Sequence, residues 1–282
     1  MSIKIVECPR DAMQGLHHFI PTAKKIEYIN LLGKIGFDTL DAGSFVSARM
    51  IPQMQDTPQV FSGIENKKDL NLLAIIANKK GAERSLEFDH VKYLGFPFSV
   101  SETFQQRNTN SSIEESFQRV KEIQNLISST NKRLVIYISM GFGNPYGDKW
   151  SPEIVHHWVE KIAELGIKTI SLSDTIGIAD SAIISSLFSS IIPHYESIEI
   201  GAHLHTRKDN WKEKIQAAYD NGCKRFDGAI KGFGGCPMAS DDLTGNMPTE
   251  FLIDFFTEKK IDLNLDLESF NKASLMATQI MS

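Results

Sequence analysis

The chain is poor in cysteine: Cys8, Cys223 and Cys236 are the only three in 282 residues. Their wide spacing excludes a disulfide framework and a CxxC zinc ribbon, and a reducing cytoplasm is the expected compartment. No apolar run approaches the roughly 20 residues a membrane helix needs, so no membrane partner is expected. The start, "MSIKIVEC", runs straight into a strand-like stretch without a signal-peptide core. No long run of one charge sign is present. With a net charge of −5, that argues against a nucleic-acid partner held by electrostatics. No GxGxxG follows the first apolar stretch, so nothing marks a dinucleotide fold.

What is present is alternation. Short apolar runs give way to longer stretches with apolar residues at helical spacing. "IKIVEC" (3–8) reads as a strand and "TAKKIEYINLLGKIG" (22–36) as a helix. "RLVIYISM", "IKTISLSD", "SIEIGAHLH" and "CKRFDGAI" are later strands. Ser111 or Ser112 is positioned to cap one helix, and Ser151 with Pro152 to open another. Eight strand–helix units of about 30 residues predict a (β/α)8 TIM barrel with a C-terminal helical extension. It forms a single catalytic domain over residues 1–282. A doubly wound sheet is the competing arrangement, because strand order is not written in a sequence.

A barrel builds its site at the C-terminal ends of its strands. Those positions are crowded with polar groups: "PRDAMQ", "DAGSF", "PFSVSETF", "GFGNPYGD", "SDTIG", "HLHT" and "KGFGGCPMASDDLTGN". Alternation along a strand puts His203 and His205 on one face. They read either as imidazoles hydrogen-bonded within the barrel or as metal ligands. Asp11, on the first strand's end, favours the metal. A mixed N/O donor set without thiolate suits Mg2+, Mn2+ or Co2+ better than structural zinc.

The stretches "PRDAMQ", "SFVSARMIPQMQD", "NSSIEESFQR", "SLSDTIG", "HLH" and "GFGGCPMASDDLTGN" occur in order along nearly the whole chain. Together they resemble the hydroxymethylglutaryl-CoA lyases, metal-dependent lyases built on a (β/α)8 barrel. The resemblance implies a divalent metal, Mg2+ or Mn2+, held by Asp11, His203, His205 and Asn246. It implies Arg10 as a catalytic and substrate-binding arginine and Cys236 as the catalytic cysteine of a mobile glycine-rich loop. It implies cleavage of 3-hydroxy-3-methylglutaryl-CoA, or a close 3-hydroxy acyl-CoA, to acetyl-CoA and acetoacetate. A homodimer with a small-molecule acyl-CoA substrate is expected.

Asp41 stands as a catalytic residue where the family carries Glu. "TRKD" (206–209) stands where the family carries Asp-Thr-Tyr-Gly, and Ala12 where it carries Gly. Ser44 either binds the substrate carboxylate or satisfies backbone near its turn. Asp174 either serves the substrate site or caps the helix that follows. These departures keep two alternatives open: an aldolase- or Claisen-type enzyme on another hydroxy acid, and a catalytically weak barrel that binds metal or acyl-CoA.

Overall fold

In a computed structural model, residues 2–65, 70–235 and 244–282 are described. The strands are β1 (Lys4–Glu7), β2 (Thr39–Ser44), β3 (Leu72–Ile75), β4 (Val91–Ser99), β5 (Arg133–Ser139), β6 (Thr169–Asp174), β7 (Glu199–Leu204) and β8 (Arg225–Gly228). They form one parallel sheet in sequence order. It closes where β1 pairs with β8, from Lys4 opposite Arg225 to Glu7 opposite Gly228. Closure rules out the doubly wound alternative, whose sheet has two open edges.

The helices are α1 (Pro9–Gln14), α2 (Thr22–Leu32), α3 (Thr57–Ser62), α4 (Lys79–Ser85), α5 (Glu102–Thr109), α6 (Ile113–Ile127), α7 (Pro152–Glu164), α8 (Ser181–Ile191), α9 (Trp211–Asp220), α10 (Thr249–Glu258) and α11 (Leu267–Met281). Two of them, α1 and α5, occupy stretches whose sequence reads as strand-end loop. Pro9 supplies the fixed φ of a first turn in α1, and the Ser101 hydroxyl caps α5 by accepting from the Phe104 N–H at 3.2 Å. Ser112 caps α6 in a full capping box: its hydroxyl accepts from the Glu115 N–H, and Glu115 accepts from the Ser112 N–H.

Aromatic side chains join the two layers. Trp158 of α7 meets Phe98 of β4 with ring centroids 5.0 Å apart, and Phe256 of α10 meets Phe226 of β8 at 5.3 Å. Full burial of such a side chain contributes about 1.5–3 kcal/mol. The C-terminal extension is anchored by backbone: the Asp266 N–H donates to the Ile35 carbonyl at 2.8 Å, and its carboxylate caps α11 through the Glu268 and Ser269 N–H groups. Cys8 and Cys223 are buried packing thiols.

Candidate active site

The site is built from the ends of β1, β2, β7 and β8. Helix α1 follows β1 directly and presents Arg10 and Asp11 from its first turn. Arg10 lies between two carboxylates. Its Nη1 donates to Asp11 Oδ1 at 2.7 Å, its Nε to Asp41 Oδ2 at 3.0 Å, and its Nη2 to the same Asp41 oxygen. Asp41 is aimed there by a bulge in β2, where the register with β3 slips between Asp41 and Gly43. All three side chains are buried. Burial pushes the Asp41 carboxyl up to about 6 although Arg10 pulls it down. Burial also opposes ionisation of Asp11, but Arg10, His203 and His205 outweigh it and hold that carboxyl down to about 2.

His203 is the fifth residue of β7. His205 lies just beyond the strand, paired with Asn246 in an isolated antiparallel bridge. That bridge carries Asn246 into the site, where its Nδ2 donates to Asp11 Oδ2 at 2.7 Å and to the Phe233 carbonyl at 2.9 Å. The two imidazole centroids are 5.3 Å apart. One donor atom each from Asp11, His203 and His205 falls within 4.8 Å of the other two. The structure brings together these three residues that the sequence singles out, and Asn246 borders them.

The donor set fits a divalent ion. His205 Nδ1 is buried and has no hydrogen-bond partner, a state that ordinarily costs about 1–3 kcal/mol and that ion coordination relieves. Burial and the neighbouring His203 hold the His205 imidazole down at about 4, in the neutral form that ligates metal. Asp11, held ionised, supplies the anionic oxygen.

Three of the residues singled out in the sequence stand off the cavity lining. Asp41 does not line the cavity: its side chain is turned onto the Nε–Nη2 side of the Arg10 guanidinium. Its place is behind the guanidinium. Ser44 does not face the cavity either. Its hydroxyl donates to the Ile75 carbonyl and accepts from the Val46 N–H, the backbone-satisfying role. Asp174 forms a buried ion pair with Lys214 at 2.6 Å and accepts from the Ala179 N–H at 3.2 Å. Lys214 also donates to the His205 carbonyl at 2.9 Å, so the pair braces the histidine loop from outside the cavity lining. Cys236 lies outside the described residues.

The departures from the family pattern are accommodated. Ala12 is helical and has no need of the positive φ open to glycine. Gly234, at φ +88°, packs its backbone on α1 so tightly that a Cβ would sit 2.4 Å from the Asp11 carbonyl oxygen. In "TRKD", Arg207, Lys208 and Asp209 are exposed, and Arg207 lies 3.6 Å from Asp209 in solvent.

Above the polar floor the cavity wall is apolar on the side of Val46, Met50, Ile51 and Phe104, with Asn108 and Thr109 at its rim. Sequence reasoning missed two groups at the floor. Gln14 donates to Asp11 Oδ1 at 2.6 Å from one turn further along α1. Asp227 Oδ2 is 3.2 Å from His203 Nδ1. Its signal was legible: a carboxylate inside the apolar run of a barrel strand, as informative as the two histidines.

The family model described as HMGL-like matches residues 3–276. The chain belongs to the HMGL-like family. A hydroxymethylglutaryl-CoA lyase of Bacillus subtilis is 32% identical over 266 residues, 94% of this chain and 88% of that protein. The human mitochondrial hydroxymethylglutaryl-CoA lyase is 31% identical over 281 residues, 99% of this chain and 86% of that one. Among solved structures, an HMG-CoA lyase from Acinetobacter baumannii in complex with coenzyme A and 3-methylmalate superposes with a TM-score of 0.92 at 32% identity, covering 99% of this chain and 91% of that one. This HMGL-like chain thus shares fold and near-full length with these relatives.

Proposed function

We propose that the protein is a carbon–carbon lyase that cleaves 3-hydroxy-3-methylglutaryl-CoA, or a close 3-hydroxy acyl-CoA, to acetyl-CoA and acetoacetate. Asp11, His203, His205 and Asn246 would hold the divalent ion, Mg2+ or Mn2+. The observation that carries this reading is the convergence of Asp11, His203 and His205 beside a buried arginine at the barrel mouth. A bound ion supplies Lewis acidity, lowering the pKa of the substrate hydroxyl and orienting it.

The chain's own residues do the rest. A guanidinium carries five N–H donors. Asp11 and Asp41 engage one each on Nε, Nη1 and Nη2, which leaves two on Arg10 for a substrate oxygen. Because both carboxylates fix the fork beforehand, those donors meet the charge that develops on the enolate oxygen of the leaving thioester without reorganisation. The apolar wall excludes water that would otherwise protonate the enolate early. Cys236 is the group proposed to exchange a proton at the enolate carbon.

The relative bound to coenzyme A and 3-methylmalate supports an acyl-CoA or hydroxy-acid substrate here. Cytoplasmic location and a homodimer accompany this reading; among the described residues no helix is long and apolar enough to cross a membrane. A second reading, an aldolase- or Claisen-type reaction on another hydroxy acid, is favoured by the short Asp41 carboxylate turned wholly onto Arg10. Product analysis with a panel of 3-hydroxy acyl-CoAs and free hydroxy acids separates the two. Acetoacetate from 3-hydroxy-3-methylglutaryl-CoA is the expected product. Cleavage of another hydroxy acid in its place transfers the assignment to the second reading.

A further inference from the structure

Beneath the proposed metal site, the barrel interior carries polar side chains in two successive rows. In the upper row Ser173, His203 and Asp227 stand in register on β6, β7 and β8. In the lower row Tyr137, Ser171, Gly201 and Arg225 stand in register on β5 to β8. Gly201 makes room for the arginine: a Cβ there would lie 3.1 Å from Arg225 Cδ and 3.3 Å from Ser171 Oγ. An arginine and an aspartate two residues apart on one strand therefore both point inward, where an apolar barrel would place aliphatic side chains. Arg225 is paired with Asp38 at 3.4 Å and Glu199 at 3.5 Å, whereas Asp227 is 3% exposed with its Oδ1 lacking a hydrogen-bond partner among the described residues, and the cost of burying that carboxylate calls for a role.

The role follows from one contact. Asp227 Oδ2 is 3.2 Å from His203 Nδ1. An ionised carboxylate only accepts hydrogen bonds, so this contact requires the proton of a neutral His203 to sit on Nδ1. The nitrogen left with a free lone pair is then Nε2. The two ring nitrogens of a ligating histidine are normally divided in this way, one to the ion and one to a carboxylate or carbonyl that fixes the tautomer. Without Asp227, the neutral imidazole would be free to place its proton on Nε2, where it blocks an ion.

We propose that Asp227 is the positioning residue of the site, holding the His203 proton on Nδ1 so that Nε2 faces the ion. This rests on the lyase reading only for the identity of the ion's job. The tautomer and the ion's affinity are measured without substrate.

Asp227→Asn is the test. A carboxamide keeps the size and offers an N–H to Nδ1, which favours the wrong tautomer. Long-range 1H–15N NMR of the metal-free full chain, recorded at a pH high enough that the 15N shifts themselves report a neutral His203, reads which ring nitrogen is protonated. Calorimetry with Mn2+ alone reads affinity. The expected result is Nδ1–H in the parent, Nε2–H in D227N, and a roughly 10–100-fold weaker Mn2+ Kd in D227N. Turnover should recover substantially at saturating Mn2+. Asp227→Ala, which offers no donor, should lose affinity with a mixed tautomer, and the NMR spectrum itself reports that either variant is folded. Nε2–H in the parent, or Mn2+ bound by folded D227N as tightly as by the parent, overturns the proposal. Absence of acyl-CoA cleavage by the Mn2+-loaded parent, with tautomer and Mn2+ affinity as expected, counts against the lyase reading and leaves the role of Asp227 supported.

Discussion

Replacing Arg10 with lysine keeps the charge and removes the fork. In the structure the guanidinium spans two carboxylates, with Nη1 at 2.7 Å from Asp11 and Nε at 3.0 Å from Asp41. An ammonium has one nitrogen and reaches one partner at a time. Two losses follow. The pre-aimed donors for the enolate oxygen go, and removing one such donor typically costs about 2.7–4 kcal/mol, or roughly 10²–10³ in kcat. Asp41 also loses its two-point hold, because the single ammonium nitrogen that replaces Nε and Nη2 is shared with Asp11. Its carboxyl already stands at about 6 because burial outweighs Arg10. In Arg10→Lys it rises further and takes up a proton near neutral pH, so the acid limb of the kcat profile moves to higher pH. The assay is steady-state cleavage of 3-hydroxy-3-methylglutaryl-CoA at saturating Mn2+ across the neutral range. A kcat within about tenfold of the parent, with an unmoved acid limb, would refute the role given to the fork.

Three further outcomes are expected. Glu7, the last residue of β1, is fully buried, and burial pushes its carboxyl from 4.5 up to about 8, against hydrogen bonds from Thr249 and the Ile230 N–H. The folded chain therefore holds a proton that the unfolded chain releases, and this group's contribution falls as pH rises from about 4.5 to about 8. Glu7→Gln should accordingly raise stability by a few kcal/mol, on the order of 1.4 per pH unit, near pH 8 and change it little below pH 4.5, as chemical denaturation at the two pH values reads. Lys214→Met leaves Asp174 buried without its cation and frees the His205 carbonyl; a loss of about 3–5 kcal/mol in unfolding free energy with weaker Mn2+ binding is expected. Cys236→Ser should lower kcat by about 10²–10⁴ with little change in KM, and equal losses in both would point to a binding role.

The fold was legible because its signals are periodic. Eight alternations of strand and helix pattern need no knowledge of strand order once the sheet closes on itself. That His203 and His205 meet at the barrel mouth was legible for a related reason: they are polar groups at alternate positions in and just beyond a strand, and the barrel decides where that face points. What escaped was set by pairing between distant segments. Nothing local tells that the Ser44 hydroxyl is taken by the Ile75 carbonyl, or that Lys214 turns inward from α9 to meet Asp174. Asp41 read as a catalytic group because its neighbours resemble a family motif; only the bulge in β2 and the reach of Arg10 show that it stands behind the guanidinium. Asp227 escaped for a different reason, since it carries the same in-strand signal as the histidines and stands opposite His203 in the β7–β8 register.

The most direct measurement is acetoacetate release from 3-hydroxy-3-methylglutaryl-CoA by protein stripped of metal and then titrated with Mn2+. The stripped protein should be inactive. Activity should return in proportion to Mn2+ bound, saturating near one ion per chain, and His205→Ala should bind the ion weakly and turn over little even when substrate is saturating. Acetoacetate formation that persists without metal, or one tightly bound Mn2+ per chain with no cleavage of this thioester, would contradict a metal-centred lyase built on Asp11, His203 and His205.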